Sequence, residues 1–357
     1  MGRAGGPGAR LFAAAFVVLA AIGVPLAVLT HLGLTASTSP SGGSRIVSPP
    51  VSGSPIVPDE ALAAGDDGPA VHRGIPLGPP KLPKNLYGGV FTGTKLAVTP
   101  ASVVADLSDA RARSMRVFVI LVGAQRHYKR SDGTFDIDLW KSLVDEFRGI
   151  DLDEFVDDGT IVAHQLISEA KARSQWGDTV IANNVLDEIA RYSKEIWPTM
   201  PTVLRTDPSD LEVHAAAFGV PWPGWRWRHL DAASARYLVR KGPVEAFTAN
   251  EQASARRQRL ALVVGLNVFS GGDGSSGIES PRPGRWAMSP DELRRYGSTM
   301  LLRTTACAFE MWRYETPGSA FEDFEYFRRP EISEAVVELA AIAAGRPPRP
   351  CRRPARR

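Results

Sequence analysis

The chain of 357 residues contains only two cysteines, Cys307 and Cys351. Two are too few for a disulfide-rich scaffold, and neither lies near the N-terminus, which excludes a lipoprotein. Formal net charge is only +3, too weak to argue for nucleic acid. The six histidines form no H-x-H or H-E-x-x-H, so the spacing of a catalytic zinc site is missing. No G-x-S-x-G nucleophile elbow occurs either; "GDGSSG" places its serines at the wrong spacing. No metal and no cofactor is implied.

What the sequence does have begins at the N-terminus. Residues 11–30 carry no charge and are preceded by Arg3 and Arg10. A bilayer-spanning helix needs ~20 such residues, and a basic flank favours the cytoplasmic side. The run exceeds the ~7–15 residues of a usual signal-peptide core, although Thr35-Ala36-Ser37 offers a small-residue exit. Residues 1–36 therefore read as a cytoplasmic stub plus a signal anchor or signal peptide, and the protein as exported, either anchored in the membrane or secreted. Residues 37–84 are dense in Ser, Gly and Pro and read as a linker. Residues 346–357 form a basic tail, expected to be a solvated end. In an exported chain, the two cysteines are candidates for one disulfide.

Between residues 85 and 345, strand patterns alternate with helix patterns. Strands are expected at 86–91, 115–122, 160–168, 202–205, 228–232, 260–269 and 305–312. Helices are expected at 99–113, 138–147, 181–196, 243–257, 289–302 and 332–344. The strands are apolar on both faces, as parallel strands covered by helices are. The length suits an α/β fold of the (β/α)8 TIM-barrel type, which takes ~250 residues. Seven strands are clear; either an eighth lies near residues 213–218 or the barrel is incomplete. An open doubly wound sheet is the alternative.

"VVGLNVFSGGDGSSG" contains Gly272-x-Gly274-x-x-Gly277, the spacing of a dinucleotide-binding loop. A strand precedes it, but the Pro-broken segment after Gly277 cannot open the helix that would meet a pyrophosphate. The stretch reads instead as a long flexible loop above the barrel's C-terminal face, able to act as a lid.

Barrel enzymes place their sites at the strands' C-terminal ends. Those ends supply Glu169, Arg205, Asp207, Asp231, Asn267, Glu310, Trp312 and Tyr314. Period-two alternation puts Glu310 and Trp312 inside the barrel and turns Cys307 toward the helix layer. There it would meet Cys351 and close a ~45-residue loop worth ~4 kcal/mol in the chain-entropy model. Two carboxylates facing a pocket are the minimum for glycoside hydrolysis. Glu169 is the candidate acid/base and Glu310 the candidate nucleophile or base. Trp176 and Trp312 are candidates to stack on sugar rings. Arg205, Asp207, Asp231, Asn267 and Tyr314 are candidates to bind substrate hydroxyls or a carboxylate. The structural alternatives are ion pairs: Glu169 with Lys171 or Arg173, and Glu310 with Arg205 or Arg313. A barrel that binds glycan or cell-wall polymer without cutting it, through Trp176, Trp222, Trp225, Trp227 and Trp312, is the competing function.

The stretches "YGGVFTG", "RVFVILVG", "DGTIVAHQLISE", "LDAASARY", "LALVVGLNVFSGG" and "CAFEMWRYE" resemble a group of uncharacterised exported bacterial proteins. Their barrels resemble those of retaining glycoside hydrolases of the (β/α)8 type. The resemblance implies a carbohydrate partner. It also implies an acid/base after the fourth strand, a nucleophile on the seventh and a Trp closing the eighth. Here the acid/base position reads Ser168-Glu169-Ala170 where those hydrolases have Asn-Glu or Asp-Glu-Pro. By the strand count above, Glu169 follows the third strand and Glu310 lies on the seventh. Trp312 instead suits the eighth, so the two counts conflict.

Overall fold

The computed structural model describes residues 73–217, 225–280, 282–312 and 325–354. Eight strands form one sheet: β1 Leu77–Gly78, β2 Gly93–Ala97, β3 Arg116–Ile120, β4 Ile161–Ser168, β5 Thr202–Arg205, β6 Ala232–Tyr237, β7 Ala261–Leu266 and β8 Ala308–Met311. All neighbours are parallel, in the order β1-β8-β7-β6-β5-β4-β3-β2. The two ends of this order meet where the Thr92 N–H donates to the Leu77 carbonyl at 2.9 Å. Helices α1 Val103–Ala112, α2 Ile137–Asp145, α3 Asp153–Asp157, α4 Asn183–Ile196, α5 Pro208–Ala217, α6 Val244–Gln258, α7 Pro290–Arg303, α8 Glu325–Arg328 and α9 Pro330–Ala344 complete the α/β barrel. The start of α7 was legible from Ser289-Pro290. Ser289 and Glu292 form a reciprocal capping box, and Pro290 occupies the first turn, where its missing N–H costs nothing.

Three strand assignments move. The eighth strand is not near residues 213–218: residues 208–217 are helix α5, and Phe218 lies outside the described residues. The missing strand is β1, inside the stretch read as linker. It has two residues among prolines and carries no period of its own. It exists because Leu77 and Gly78 pair with Phe309 and Glu310. Residues 84–86 form a 3-10 turn, and the strand expected at 86–91 is β2, at 93–97. The weak strand expected at 228–232 begins only at Ala232. Closure at β1 also depends on backbone proximity. A Cβ on Gly78 would fall 2.0 Å from the Gly93 carbonyl oxygen, so only glycine lets these strands approach.

Outward residues such as Val117, Leu204, Leu262, Phe309 and Met311 join the main core beneath the helices. Phe118, Ala163, Val203, Ala232, Val263 and Ala308 form a separate apolar cluster at the barrel floor, together with Cys307 and Cys351. Those two cysteines are bonded across 44 residues. The bridge is as expected, but its place is corrected. Cys307 precedes β8 and the pair packs under the barrel floor instead of in the helix layer. The tail is corrected as well. Up to Pro354 it straps across the N-terminal face: Arg352 donates to the Thr199 carbonyl, Arg353 to the Trp227 and Arg228 carbonyls, and the Arg353 N–H to Asp231 Oδ1 at 3.3 Å. The disulfide brings these arginines to carbonyls at the loops entering β5 and β6, so they are not left to solvent.

Candidate ligand site at the barrel mouth

Inside the barrel, a charged layer rests on the apolar floor. Lys95 of β2 and Glu310 of β8 pair at 2.9 Å, with side chains only 3% and 5% exposed. Lys95 also donates to Gln165, and the Ser234 hydroxyl reaches Glu310 Oε2 at 3.4 Å. Burial pushes the Lys95 ammonium down to about 7, against the opposing pull of Glu310. Glu310 does face inward, with Phe309 and Met311 on the helix side. Its ion-pair partner among the described residues is Lys95 and not Arg205, and the sequence reading missed Lys95; Arg313 lies outside the described residues. The signal was present: a single lysine in the apolar "FTGTKLAV", at an alternating inward position. Gly265 makes room for the neighbouring strand, since a Cβ there would meet the Glu310 carbonyl oxygen at 2.3 Å.

Above this layer stands Glu169, the residue immediately after β4. Its φ of 55° is left-handed, a conformation that non-glycine residues rarely adopt. The surroundings hold it there. Its N–H donates to the Arg205 carbonyl at 2.7 Å, while its own carbonyl accepts from Ala172 N and Trp176 Nε1, both at 2.9 Å. The side chain accepts from Arg205 Nη2 at 3.2 Å and Arg236 Nη2 at 3.0 Å. Burial pushes this carboxyl up, but Arg205 and Arg236 outweigh burial and hold it below its ordinary value. The same guanidiniums lie over the Trp312 ring, 3.8 Å from its centroid for Arg205 and 4.6 Å for Arg236, a cation–π arrangement that fixes their planes.

Glu169, Arg205 and Arg236 line a cavity of about 350 Å³ at the C-terminal mouth. Its wall includes Asn267, whose Oδ1 is buried without a hydrogen-bond partner among the described residues. Asp207 is also there, engaged by the Lys241 ammonium and by the Arg236 N–H at 3.2 Å. Lys171, Arg240 and Arg282 complete the charge. Among the described residues, six basic side chains and three carboxylates, Glu169, Asp207 and Asp210, thus line it.

Other expected site residues lie elsewhere. Trp176 is fully buried, stacked on Tyr128 and edge-on to Phe135, so it offers no face to a sugar; its indole N–H positions Glu169 instead. Asp231 is at the opposite end of the barrel. It precedes β6, accepts from the Thr202 N–H at 3.0 Å and pairs with Lys194 at 2.6 Å. Residues 225–231 lead into β6, which puts Trp225 and Trp227 at the N-terminal face, not over the mouth. Trp227 donates to Gln258 at 2.9 Å there. Trp222 and Tyr314 lie outside the described residues.

The glycine-rich stretch is pinned rather than free. Gly272 N donates to the Trp286 carbonyl, Ala287 N to Ile278, Ser280 N to Arg285, and Asp273 N to Glu292 Oε1, all at 2.8–2.9 Å. The next long helix begins only at Pro290. The geometry of a pyrophosphate site is therefore missing, and so is that of a loose lid.

With β1 in place the strand count resolves. Glu169 follows the fourth strand, Asn267 the seventh and Trp312 the eighth. Glu310 lies within the eighth, one layer below the mouth. The position after the seventh strand, where the resemblance expects a carboxylate, carries an amide.

No family model matches the chain, and no curated protein matches it. Solved structures with some likeness include a proposed α-L-fucosidase from Bacteroides thetaiotaomicron, at 12% identity and a TM-score of 0.46, covering 79% of this chain and 100% of that one. A β-glucanase from Saccharophagus degradans in complex with cellotetraose is 9% identical, with a TM-score of 0.45 over 76% of this chain and 88% of that one. A xylanase from Cellvibrio japonicus in complex with xylopentaose is 9% identical, with a TM-score of 0.45 over 79% and 69%. At these identities and scores none of them bears on what this chain does; the barrel is established by its own strand order.

Proposed function

We propose that this chain is an exported barrel that binds carbohydrate at its C-terminal mouth without cleaving it. The observation that carries this reading is the place of Glu169 between two guanidiniums, at 3.2 and 3.0 Å. Glycoside hydrolysis needs a protonated carboxyl with a raised pKa and a second carboxylate across the pocket, ~5–5.5 Å away for retention or ~6.5–9.5 Å for inversion. Glu169 is instead held ionised. Glu310 is committed to Lys95 below the pocket. A polar, concave mouth with an amide and several guanidiniums remains suited to hydroxyl-rich ligands. Export is supported by the apolar run at 11–30 with its basic flank, which lies outside the described residues. The Cys307–Cys351 bridge adds to it, since such bonds persist in oxidising compartments. Among the described residues, no helix is long and apolar enough to cross a membrane.

The hydrolase reading, with Glu169 as acid/base and Glu310 as nucleophile, stands second. It is favoured by the position of Glu169 directly after β4 and of Trp312 directly after β8. A screen of aryl glycosides and oligosaccharides on the full chain, beside Glu169→Gln and Glu310→Gln, separates the two. The expected result is oligosaccharide binding with no aryl release. Turnover in the parent that disappears in both variants while binding persists would establish the hydrolase.

A further inference from the structure

The charge at the mouth is more specific than neutral-sugar binding requires. Arg205 and Arg236 have side chains only 7% and 13% exposed, whereas Glu169 between them is 38% exposed. Both nearly buried guanidiniums thus reach the Glu169 carboxylate, the most exposed of the three groups. Asp207, the neighbouring anion, is engaged by Lys241. The exposed Arg240 meets no carboxylate among the described residues, and among the described residues that line the mouth basic groups outnumber carboxylates. Stacking over Trp312 fixes the guanidinium planes, and a fixed planar fork recognises planar anions best. The group already seated in that fork is a carboxylate, presented from a left-handed backbone that the surrounding hydrogen bonds hold in place.

We infer that the mouth selects acidic saccharides, with Arg236 and Arg205 binding a sugar carboxylate beside or in place of the Glu169 carboxylate. This rests on the carbohydrate-binding reading above. Glu169 then acts as a built-in competitor: it neutralises the fork when the site is empty and sets a threshold that a neutral sugar gains nothing by crossing. Asn267 Oδ1, without a hydrogen-bond partner among the described residues, accepts a hydrogen bond from a hydroxyl of the same ring.

The test is calorimetric titration of the full chain with oligogalacturonate and with the neutral galacto-oligosaccharide of the same length. The acidic ligand is expected to bind about ten-fold tighter or more at low salt, the discrimination that one hydrogen bond to a charged group supplies. That preference should shrink as ionic strength rises. Arg236→Gln should weaken the acidic ligand more than the neutral one, and Glu169→Gln should tighten the acidic ligand by removing the like charge. Equal affinity for both oligosaccharides in the parent protein, or a preference that neither salt nor Arg236→Gln reduces, overturns the inference and leaves carbohydrate binding standing. Binding of neither oligosaccharide, with a neutral panel also negative, overturns carbohydrate binding itself.

Discussion

Lys95 and Glu310 show how a single buried residue sets the character of the barrel's interior. Each is enclosed almost completely, and each is tolerable only because the other is there. Removing one partner strands the other charge. Lys95→Met is therefore expected to cost about 3–5 kcal/mol, most of it recovered in the Lys95→Met/Glu310→Leu double variant. Denaturant titrations of the four proteins check this. The same pair predicts a pH dependence. Burial lowers Lys95 to about 7 in the folded state from 10.5. Across that window the unfolded chain keeps a proton that the folded chain has released, so this residue makes stability rise with pH from about 7 to 10.5. Stability measured over that range should show the upward slope in the parent, and Lys95→Met should reduce it, leaving the part that Lys171, also lowered to about 7 by burial, contributes.

At the scale of the element, β1 is the instructive case. Its two residues owe their strand conformation to β8 on one side and to the Thr92 hydrogen bond on the other. Gly78→Ala would drive a methyl into the Gly93 carbonyl, 2.0 Å away. Backbone has to move to relieve that contact, so a loss of about 1–3 kcal/mol is expected. Thermal unfolding of this variant checks it, and an unchanged melting temperature would mean that β1 does not close the barrel. The contrast with α7 is physical. Its capping box and first-turn proline are local devices, readable within a few residues. The pairing of β1 joins residues more than two hundred positions apart, and no local pattern encodes that.

At the scale of the whole molecule, the C-terminal strap ties three parts of the barrel's N-terminal face together. The disulfide anchors it beneath β8, and Arg352 and Arg353 reach the loops before β5 and β6. In the chain-entropy account, a bridge across 44 residues contributes about 4 kcal/mol. Reduction, or Cys351→Ser, is expected to lower stability by that order. Denaturation midpoints with and without a thiol reductant measure it, with Cys351→Ser serving as the reductant-insensitive control. The mouth, at the opposite end, should keep its ligand preference after reduction in conditions where the barrel stays folded.

By itself, the sequence determined the α/β alternation, most of the strands, the capped start of α7, the failure of the glycine motif as a dinucleotide loop, and the inward facing of Glu310. Each follows from local periodicity or from a short cap or turn signal. It also made the cysteine pair a reasonable disulfide. Only the tertiary structure decided which strand comes first, and with it that Glu169 follows the fourth. It alone brought Lys95 to Glu310, turned Trp176 from a ligand platform into a support for Glu169, and moved Asp231 to the far end. Most decisive for function, it set Arg205 and Arg236 around Glu169. Arg205 and Arg236 come from β5 and β6 and Glu169 follows β4, and the charge state of the carboxylate depends on distances of a few ångströms that no sequence period records.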